Sequence, residues 1–341
     1  MNILFTCAGR RNYLINYFKK ALNSTGKVFA SDMQLTAPAL IDADIAFKVP
    51  SIYDLSYIET LKKLVTDYNI DAIISLNDLE LPILSKYKSE FSEIGIKVLV
   101  SNEDVIHKSF DKWETVKFLL ESGLNTPKTY IDLQKAKTAI HNGELSFPVV
   151  VKPRWGSGSI AVDFASNFEE LELVYRLQVI KLKNSILSEA SKEDVNSAVL
   201  IQEKIKGKEF GIDILNNLEG DYYSTFAREK LSMRSGETDK AVSVIDEKLA
   251  EIGSIIGSRL GHIGNLDCDV FYDGKDYFVL ELNPRFGGGY PFSHEAGIDT
   301  PSIYIEWLNN SNNIEKYNNY KPGVAFAKCD RLLDITKGYS S

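Results

Sequence analysis

A predicted β-hairpin near the C-terminal end of the chain carries the residues best suited to chemistry. Two apolar strands flank a turn at residues 273–276. Because strand side chains alternate between faces, Asp267 and Asp269 share one face of the first strand. By the same rule Glu281 and Asn283 share one face of the second strand, so the hairpin gathers acids and an amide on one side. The residues expected on the opposite side are Leu266, Cys268, Val270, Leu280 and Leu282.

Carboxylates that lie this close repel one another and raise each other's pKa. A hard divalent cation removes the repulsion, and Mg²⁺ accepts a few carboxylate oxygens while keeping its other positions for water and phosphate. Arg285 follows the second strand and suits bidentate contact with a phosphate. A solvated surface would explain any one of these acids. The string Asp-x-Asp followed by Glu-x-Asn-Pro-Arg favours a site for a metal and a phosphate.

A segment rich in glycine and serine follows a predicted strand that ends in Lys152. Lys152 supplies a fixed positive charge, and exposed backbone N–H groups in such a loop wrap phosphate oxygens. The segment matches neither the Walker A loop nor the Gly-x-Gly-x-x-Gly fingerprint. Small-residue turns are common, so this segment alone is weak evidence. The candidate phosphate-binding residues are Gly156, Ser157, Gly158 and Ser159.

A charged crossing between two predicted strands, residues 202–210, is a candidate for binding a nucleoside. Its backbone groups at Glu203, Lys204 and Ile205 could face a purine edge, and Glu209 is free for ribose hydroxyls. Taken alone, an ordinary charged turn is the simpler interpretation.

Cations outside the hairpin are candidates for binding a substrate anion. Arg10 and Arg11 follow the first predicted strand, at the edge where open α/β sheets place ligands. Arg228 and Arg234 lie in a basic run that also contains Lys230. Solvated loop cations explain these residues equally well. Further candidates are Asp78 and Glu80, together with Asp269 if Asp267 is the metal ligand.

The elements that must position these residues change character along the chain. Strands at residues 2–6, 28–30, 72–75 and 97–100 alternate with helices, which predicts βαβ units and a parallel sheet. Ser56 and Glu59 form a capping-box pattern at the start of one helix. Beyond residue 111, strands at 147–152, 200–203, 210–215, 222–228 and the hairpin predict antiparallel pairing.

Composition excludes several classes of protein. The 341 residues are 44% hydrophobic and 25% charged, which is ordinary globular composition, and the length suggests about two domains. No apolar run approaches the length of a membrane span, and we expect no secretory leader. A net charge of −8 disfavours nucleic acid as a partner. The three cysteines and four histidines form neither a disulfide framework nor a metal pattern, which fits a cytoplasmic protein.

The order and spacing of these motifs resemble the ATP-grasp superfamily, in particular stand-alone carboxylate–amine ligases similar to the large subunit of carbamoyl phosphate synthase. The most specific string is residues 281–285, preceded by Asp267 at the spacing of the family's other metal ligand. Residues 202–209 resemble the segment that binds adenine and ribose. Lys112 and Lys152 resemble the two nucleotide-contacting cations, and residues 155–159 resemble the mobile lid over the phosphates.

The resemblance implies an α/β ATP-grasp fold. We expect an N-terminal Rossmann-like domain with a parallel sheet at residues 1–108. A small subdomain with the glycine-rich loop would span residues 109–200, and a large subdomain with the metal hairpin would span residues 201–341. ATP would lie between the last two. The family also implies small-molecule substrates, and a homodimer is a reasonable expectation.

The resemblance implies a reaction in which a carboxylate takes the γ-phosphoryl group of ATP and an amine then displaces phosphate, releasing ADP and phosphate. Two Mg²⁺ ions, for which Mn²⁺ can substitute, would be held by Asp267, Glu281 and Asn283. Arg285, with Arg228 and Asn283, would stabilise the transferring group. Spacing favours Asp267 over Asp269 as the first ligand, but that choice stays open. Two alternatives also stay open: bicarbonate as the acceptor, and a nucleotide-binding protein without turnover.

Overall fold

Three β-sheets organise the chain. The computed structural model describes residues 1–156, 161–185, 187–191, 194 and 197–339. In that part of the chain, no helix is both long enough and apolar enough to cross a membrane.

The N-terminal sheet is parallel, with strand order β3-β2-β1-β4-β5. Its order reverses between β1 and β4, so the carboxyl ends of these two strands border a crevice. The alternation of strand and helix predicted from the sequence is confirmed here. The elements are β1 (Asn2–Thr6), α1 (Asn12–Leu22), β2 (Lys27–Asp32), α2 (Pro38–Asp42), β3 (Ile45–Lys48), α3 (Tyr57–Asp67), β4 (Ala72–Ser75), α4 (Leu81–Glu93), β5 (Lys97–Val98) and α5 (Glu103–Phe110).

The start of α3 differs from the expectation of a capping box. Ser56 precedes the helix, but its backbone is helical and its side chain makes no cap hydrogen bond. The Ser56 hydroxyl instead donates to Asp54 Oδ1 at 2.7 Å. The hydroxyl therefore bonds to a side chain outside the helix instead of capping the helix. Such local hydrogen bonds commonly compete with capping at serine.

The second sheet is antiparallel, with strand order β6-β9-β7-β8. Its central strand β7 ends at Lys152 and Pro153, so the fixed strand positions the lysine predicted to contact phosphate. The elements of this region are α6 (Lys112–Glu121), β6 (Thr129–Tyr130), α7 (Leu133–His141), β7 (Val149–Pro153), β8 (Asp163–Ala165), α8 (Phe168–Lys183), α9 (Ser188–Ser191) and β9 (Val199–Glu203).

The third sheet is six-stranded, with order β14-β13-β10-β11-β12-β15. Helix α10 packs on its apolar face, where residues such as Ile212, Ile256 and Leu266 are fully buried. The opposite face carries the polar residues of the hairpin. The elements are β10 (Lys208–Asn216), β11 (Tyr222–Arg234), β12 (Glu237–Val244), α10 (Glu247–Leu260), β13 (Asn265–Tyr272), β14 (Tyr277–Asn283), α11 (Tyr290–Glu295), α12 (Thr300–Leu308), a 3₁₀ turn (Glu315–Tyr317), β15 (Ala325–Ala327) and α13 (Thr336–Tyr339).

Side chains from different expected segments of the chain pack together in common cores. Phe118 and Leu119 of α6 join the core under the third sheet. Strand β9 belongs to the second sheet as far as Glu203. At the other end of the chain, α12 packs on α1, so the C-terminal region shares a core with the N-terminal sheet.

Because the N-terminal sheet and the C-terminal region share this core, we expect that removing one of its large side chains destabilises the whole protein. The ring of Phe18, on α1, lies 5.0 Å from the ring of Phe5 and 6.0 Å from those of Phe286 and Tyr304. We expect Phe18→Ala to lower the free energy of unfolding by about 3–5 kcal/mol in urea titrations. The control Leu55→Ala, at a fully exposed side chain, should change it by less than about 0.5 kcal/mol. Equal effects of the two variants would contradict the shared core.

Candidate functional site

The register of the hairpin decides which acids face each other. Asp269 on β13 lies opposite Glu281 on β14, and Asp267 lies opposite Asn283. The Asn283 amide donates to Glu281 Oε1 at 3.3 Å. All four side chains lie on the same face of the sheet, as their alternation predicted.

A β-bulge in β14 changes the face of one residue. The register shifts between Asp269 and Val270, and Val270 pairs with Val279 instead of Leu280. Val279 therefore takes the buried position beside Leu282, whereas Leu280 lines a cavity next to Glu281. The prediction that Leu280 points away from Glu281 is wrong, because alternation fails where one strand carries an extra residue.

A cavity of 380 Å³ lies between the second and third sheets. Its walls combine apolar side chains with a polar rim, the usual composition of a small-molecule site. Glu203, Lys204, Ile205 and Glu209 all line it, together with Asp269 and Glu281 from the hairpin. The other lining residues include Pro127, Val150, Trp155, Val162, Phe164, Gln202, Phe271 and Leu280.

Two lysines reach this cavity from the second sheet and α6. Lys152 is buried, and burial together with the neighbouring charge of Lys112 lowers its pKa to about 8. The Lys112 amine donates to the carbonyl of Gly156, the last residue described before the gap at 157–160. The candidate residues Ser157, Gly158 and Ser159 lie outside the described residues. The cavity thus has a cationic end beside the acids of the hairpin.

Lys230 links two of the acids that line this cavity from the third sheet. Its amine lies 2.7 Å from Glu209 Oε1 and 2.7 Å from Asp269 Oδ1. Burial raises the pKa of Asp269 to about 7 although Lys230 opposes the shift, and the charges of Asp267 and Glu281 add to it. Because burial and the neighbouring carboxylates disfavour the negative charge of Asp269, a cation bound next to it would be stabilising.

A second cavity, of 290 Å³, adjoins the first. Asp269, Glu281, Met233 and Gly236 line both cavities, so the two meet at the hairpin acids. The N-terminal domain contributes residues 76–79 and Arg11 to the second cavity. Its remaining lining includes Arg228, Lys230, Glu237, Asp267, Asn283, Arg285, Gly288 and Gly289.

Arg228 crosses the floor of the second cavity as a buried charge. One of its guanidinium nitrogens pairs with Asp213 and the other donates to Asp267 Oδ1 at 2.8 Å. It reaches across β10 over Gly211, where a Cβ would come within 2.8 Å of the guanidinium. The guanidinium of Arg228 therefore already forms ion pairs with two carboxylates. Sequence analysis did not single out Asp213, although an aspartate within an apolar strand was a visible signal.

The glycines after the hairpin permit this close packing. A Cβ on Gly289 would lie 2.2 Å from Arg228, and a Cβ on Gly287 would lie 2.1 Å from the Asp267 carboxyl carbon. Any side chain at either position would displace the buried pair. Contact with Asp267 and Arg228 thus explains Gly287 and Gly289, whereas a Cβ on Gly288 would lie 3.0 Å from the Arg11 guanidinium.

Arg285 connects the hairpin to the N-terminal domain. Its guanidinium donates twice to Asp78 Oδ2, at 2.6 and 3.0 Å, and lies 3.7 Å from Asp267. Glu80, two residues beyond Asp78, is fully buried and accepts hydroxyl hydrogen bonds from Thr6 and Ser75 at 2.7 and 2.6 Å. Glu80 therefore anchors the segment that carries Asp78 and does not itself line the second cavity.

Two of the predicted substrate cations are separated from the site. Arg234 is half-exposed and pairs with Asp239 and Asp330. Arg10 is exposed. Among the described residues that line the two cavities, neither Arg10 nor Arg234 appears, whereas Arg11 does. Adjacent residues after a strand point in different directions, which spacing alone did not resolve.

The donors fit Mg²⁺ bound together with a phosphate better than a metal held by protein alone. Within the described chain, no group of three or more His, Cys, Asp or Glu side chains forms a metal cage. Asp269 and Glu281 nevertheless face each other on the wall shared by both cavities. Mg²⁺ commonly takes one or two carboxylates and completes its shell with phosphate and water.

Two parts of the chain match known protein families. Residues 109–289, more than half of the chain, match the family described as the ATP-grasp domain, and residues 3–99 match the family described as PylC-like, N-terminal domain. The chain is 24% identical to the carbamoyl phosphate synthase large chain of Campylobacter jejuni over 62% of its length and 19% of that protein. It is 28% identical to the D-alanine–D-alanine ligase of Francisella philomiragia over 57% of its length.

These curated relatives are covered only in part, since the chain spans 63% of the D-alanine–D-alanine ligase. Among solved structures, the biotin carboxylase of Campylobacter jejuni superposes with a TM-score of 0.71 at 16% identity, over 92% of this chain and 72% of that one. That likeness concerns the fold. The family match, together with the fold and the paired cavities, shows that the chain belongs to the ATP-grasp family.

Proposed function

We propose that this protein is an ATP-dependent ligase that activates a carboxylate as an acyl phosphate and joins it to an amine, releasing ADP and phosphate. The observation that supports it most directly is the meeting of the two cavities at Asp269 and Glu281. One cavity suits a nucleotide and the other suits an acceptor. The acids between them mark the place where a phosphoryl group would pass from one to the other.

For ATP in the first cavity we propose one orientation. The backbone of residues 203–205 would face the adenine, with Leu280 and Val150 among the apolar walls. Glu209 would accept from the ribose hydroxyls. Lys152 and Lys112 lie at the opposite, cationic end and would contact the phosphates.

We propose Asp269 and Glu281 as the carboxylates that would hold Mg²⁺, with Asn283 beside them. Asp269 faces Glu281 directly and lines the nucleotide cavity. Asp267 pairs instead with Arg228 and lies on the second cavity alone. Bound Mg²⁺ would supply charge neutralisation for the triphosphate. This choice departs from the spacing argument for Asp267, because the register sets Asp269, and not Asp267, opposite Glu281.

The chemistry balances with these residues in place. A carboxylate oxygen attacks the γ-phosphorus, the bond from that phosphorus to the β-phosphate oxygen breaks, and ADP leaves. The amine nitrogen then attacks the acyl carbon, loses a proton, and expels phosphate as the carbon–oxygen bond breaks. Arg285 lies next to Asn283 on the second cavity and would stabilise charge on the acyl phosphate. Arg228 would act indirectly, since Asp213 and Asp267 already occupy it.

An assay of ADP formation tests the proposal. The protein is incubated with ATP, Mg²⁺ and pooled carboxylic acids plus hydroxylamine, which traps acyl phosphates as hydroxamates. We expect ADP and hydroxamate to form together, and amines in place of hydroxylamine to give amides. ADP formation that needs bicarbonate alone would support carboxyphosphate chemistry instead. Nucleotide binding without ADP formation in any pool would support a protein without turnover.

Removing one charge at the junction should abolish turnover without unfolding the protein. We expect Glu281→Gln to lower the rate of ADP formation by at least about a hundredfold, because a preorganised charge in such a site supplies several kcal/mol. Thermal unfolding of this variant should resemble that of the wild type. The control Asp276→Asn, in the turn of the same hairpin, should keep full activity. Normal activity of Glu281→Gln would remove Glu281 from the site.

The lowered pKa of Lys152 predicts a pH dependence of nucleotide binding. The group is charged below about pH 8 and neutral above it. Affinity for ADP with Mg²⁺, measured by titration calorimetry, should therefore fall as the pH rises from 7 to about 9. Lys152→Arg keeps its charge over this range and should remove the dependence. The same pH profile in both proteins would exclude Lys152 as its source.

A further inference from the structure

Two cations from distant parts of the chain hold one glutamate at the edge of the second cavity. Arg11, which follows the first strand, lies 3.2 Å from Glu237 Oε1. Lys328, just beyond the last strand, lies 3.4 Å from Glu237 Oε2. The two oxygens of one carboxylate are thus shared between the N-terminal domain and the C-terminal segment. Lys328 carries no readable motif in the sequence, and Glu237 lies just beyond the basic run that ends at Arg234.

The cations are more enclosed than the acid they hold. The side chains of Arg11 and Lys328 are 18% and 24% exposed, whereas that of Glu237 is 52% exposed. Burial lowers the pKa of Lys328, and the nearby charges of Arg11 and Arg228 lower it further, although Glu237 opposes the shift. Arg11 and Lys328 therefore place two positive charges close together, and the more exposed carboxylate of Glu237 lies against them.

Glu237 is the most exposed member of the set. It follows a tight turn in which Ser235 and Gly236 both have positive φ, at the tip of the hairpin formed by β11 and β12. Arg11, by contrast, is fixed by Tyr13, whose hydroxyl accepts from it at 3.3 Å and donates to the Gly287 carbonyl at 3.2 Å. Displacing Glu237 would expose a preformed pair of cations.

We propose that Arg11 and Lys328 form a carboxylate-binding subsite for a part of the substrate that does not react, and that Glu237 occupies this subsite until the substrate carboxylate displaces it. The assignment of the ligand as a substrate rests on the proposed function. The carboxylate that reacts must lie at the junction with the nucleotide cavity. Arg11 and Glu237 line the second cavity and not the first, whereas Asp269 and Glu281 line both.

The subsite therefore selects a substrate with a second carboxylate. That group could belong to the acid that is activated, which would then be a dicarboxylate, or to the amine, which would then be an amino acid. Both present the same anion to two cations.

A binding test without ATP addresses the subsite independently of turnover. Succinate is titrated into the protein at constant ionic strength, with neutral succinamide as the matched compound. Glu237→Gln should bind succinate about tenfold more tightly than the wild type, because the competing charge is gone while the cations remain. Lys328→Met should weaken the binding about tenfold. Lys328→Arg and the control Lys321→Met, an exposed lysine of the same segment, should bind as the wild type does.

Equal binding of succinate and succinamide, or no gain from Glu237→Gln, would overturn the subsite. If succinate binds as expected and no acid pool yields ADP, the subsite stands and the ligase proposal fails. With turnover established, Lys328→Met should raise the KM of one substrate and leave kcat nearly unchanged. A raised KM for the carboxylic acid identifies a dicarboxylate, and a raised KM for the amine identifies an amino acid. An unchanged KM for both would contradict the proposal.

Discussion

The mutual repulsion of carboxylates on one sheet face is the constraint on which the rest of the site depends. Asp267, Asp269 and Glu281 project from two adjacent strands into a partly enclosed space, where charges interact more strongly than in water. The protein pairs Asp267 with Arg228 and Asp269 with Lys230. Even so, the pKa of Asp269 is raised to about 7, with burial as the main cause. A bound cation would relieve the remaining repulsion, which is why we propose this face as the site of a metal-bound triphosphate.

The same arrangement explains why the N-terminal domain belongs to the site. Arg285 spans from Asp267 to Asp78, and Tyr13 bonds to the glycine run after the hairpin. These contacts place the carboxyl edge of the parallel sheet against the acids of the third sheet. The second cavity therefore lies where both regions meet, and both contribute residues to its lining.

Much of the fold could be predicted from the sequence, because periodicity and turn residues report local structure directly. The alternating strands and helices of the N-terminal region and the polar face of the hairpin followed from such patterns. The bulge at Leu280 did not, since one extra residue in a strand leaves no mark on composition. The family's ligand spacing favoured Asp267, whereas the observed register sets Asp269 opposite Glu281.

Cations were the least predictable part of the site. Arg10, Arg11, Arg228 and Arg234 looked alike in sequence, yet they have three different environments. Arg228 is fully buried between two acids, and Arg11 lines the second cavity. Arg10 and Arg234 lie on the surface. Long-range contacts decide these outcomes, as they do for Lys328, which reaches Glu237 from the C-terminal segment.

The most direct measurement is anomalous diffraction from crystals grown with Mn²⁺ and a non-hydrolysable ATP analogue. We expect a manganese peak between Asp269 and Glu281, with the triphosphate reaching it from the side of Lys152. A nucleotide bound in the cavity with manganese beside Asp267, or with no manganese at the hairpin, would contradict it.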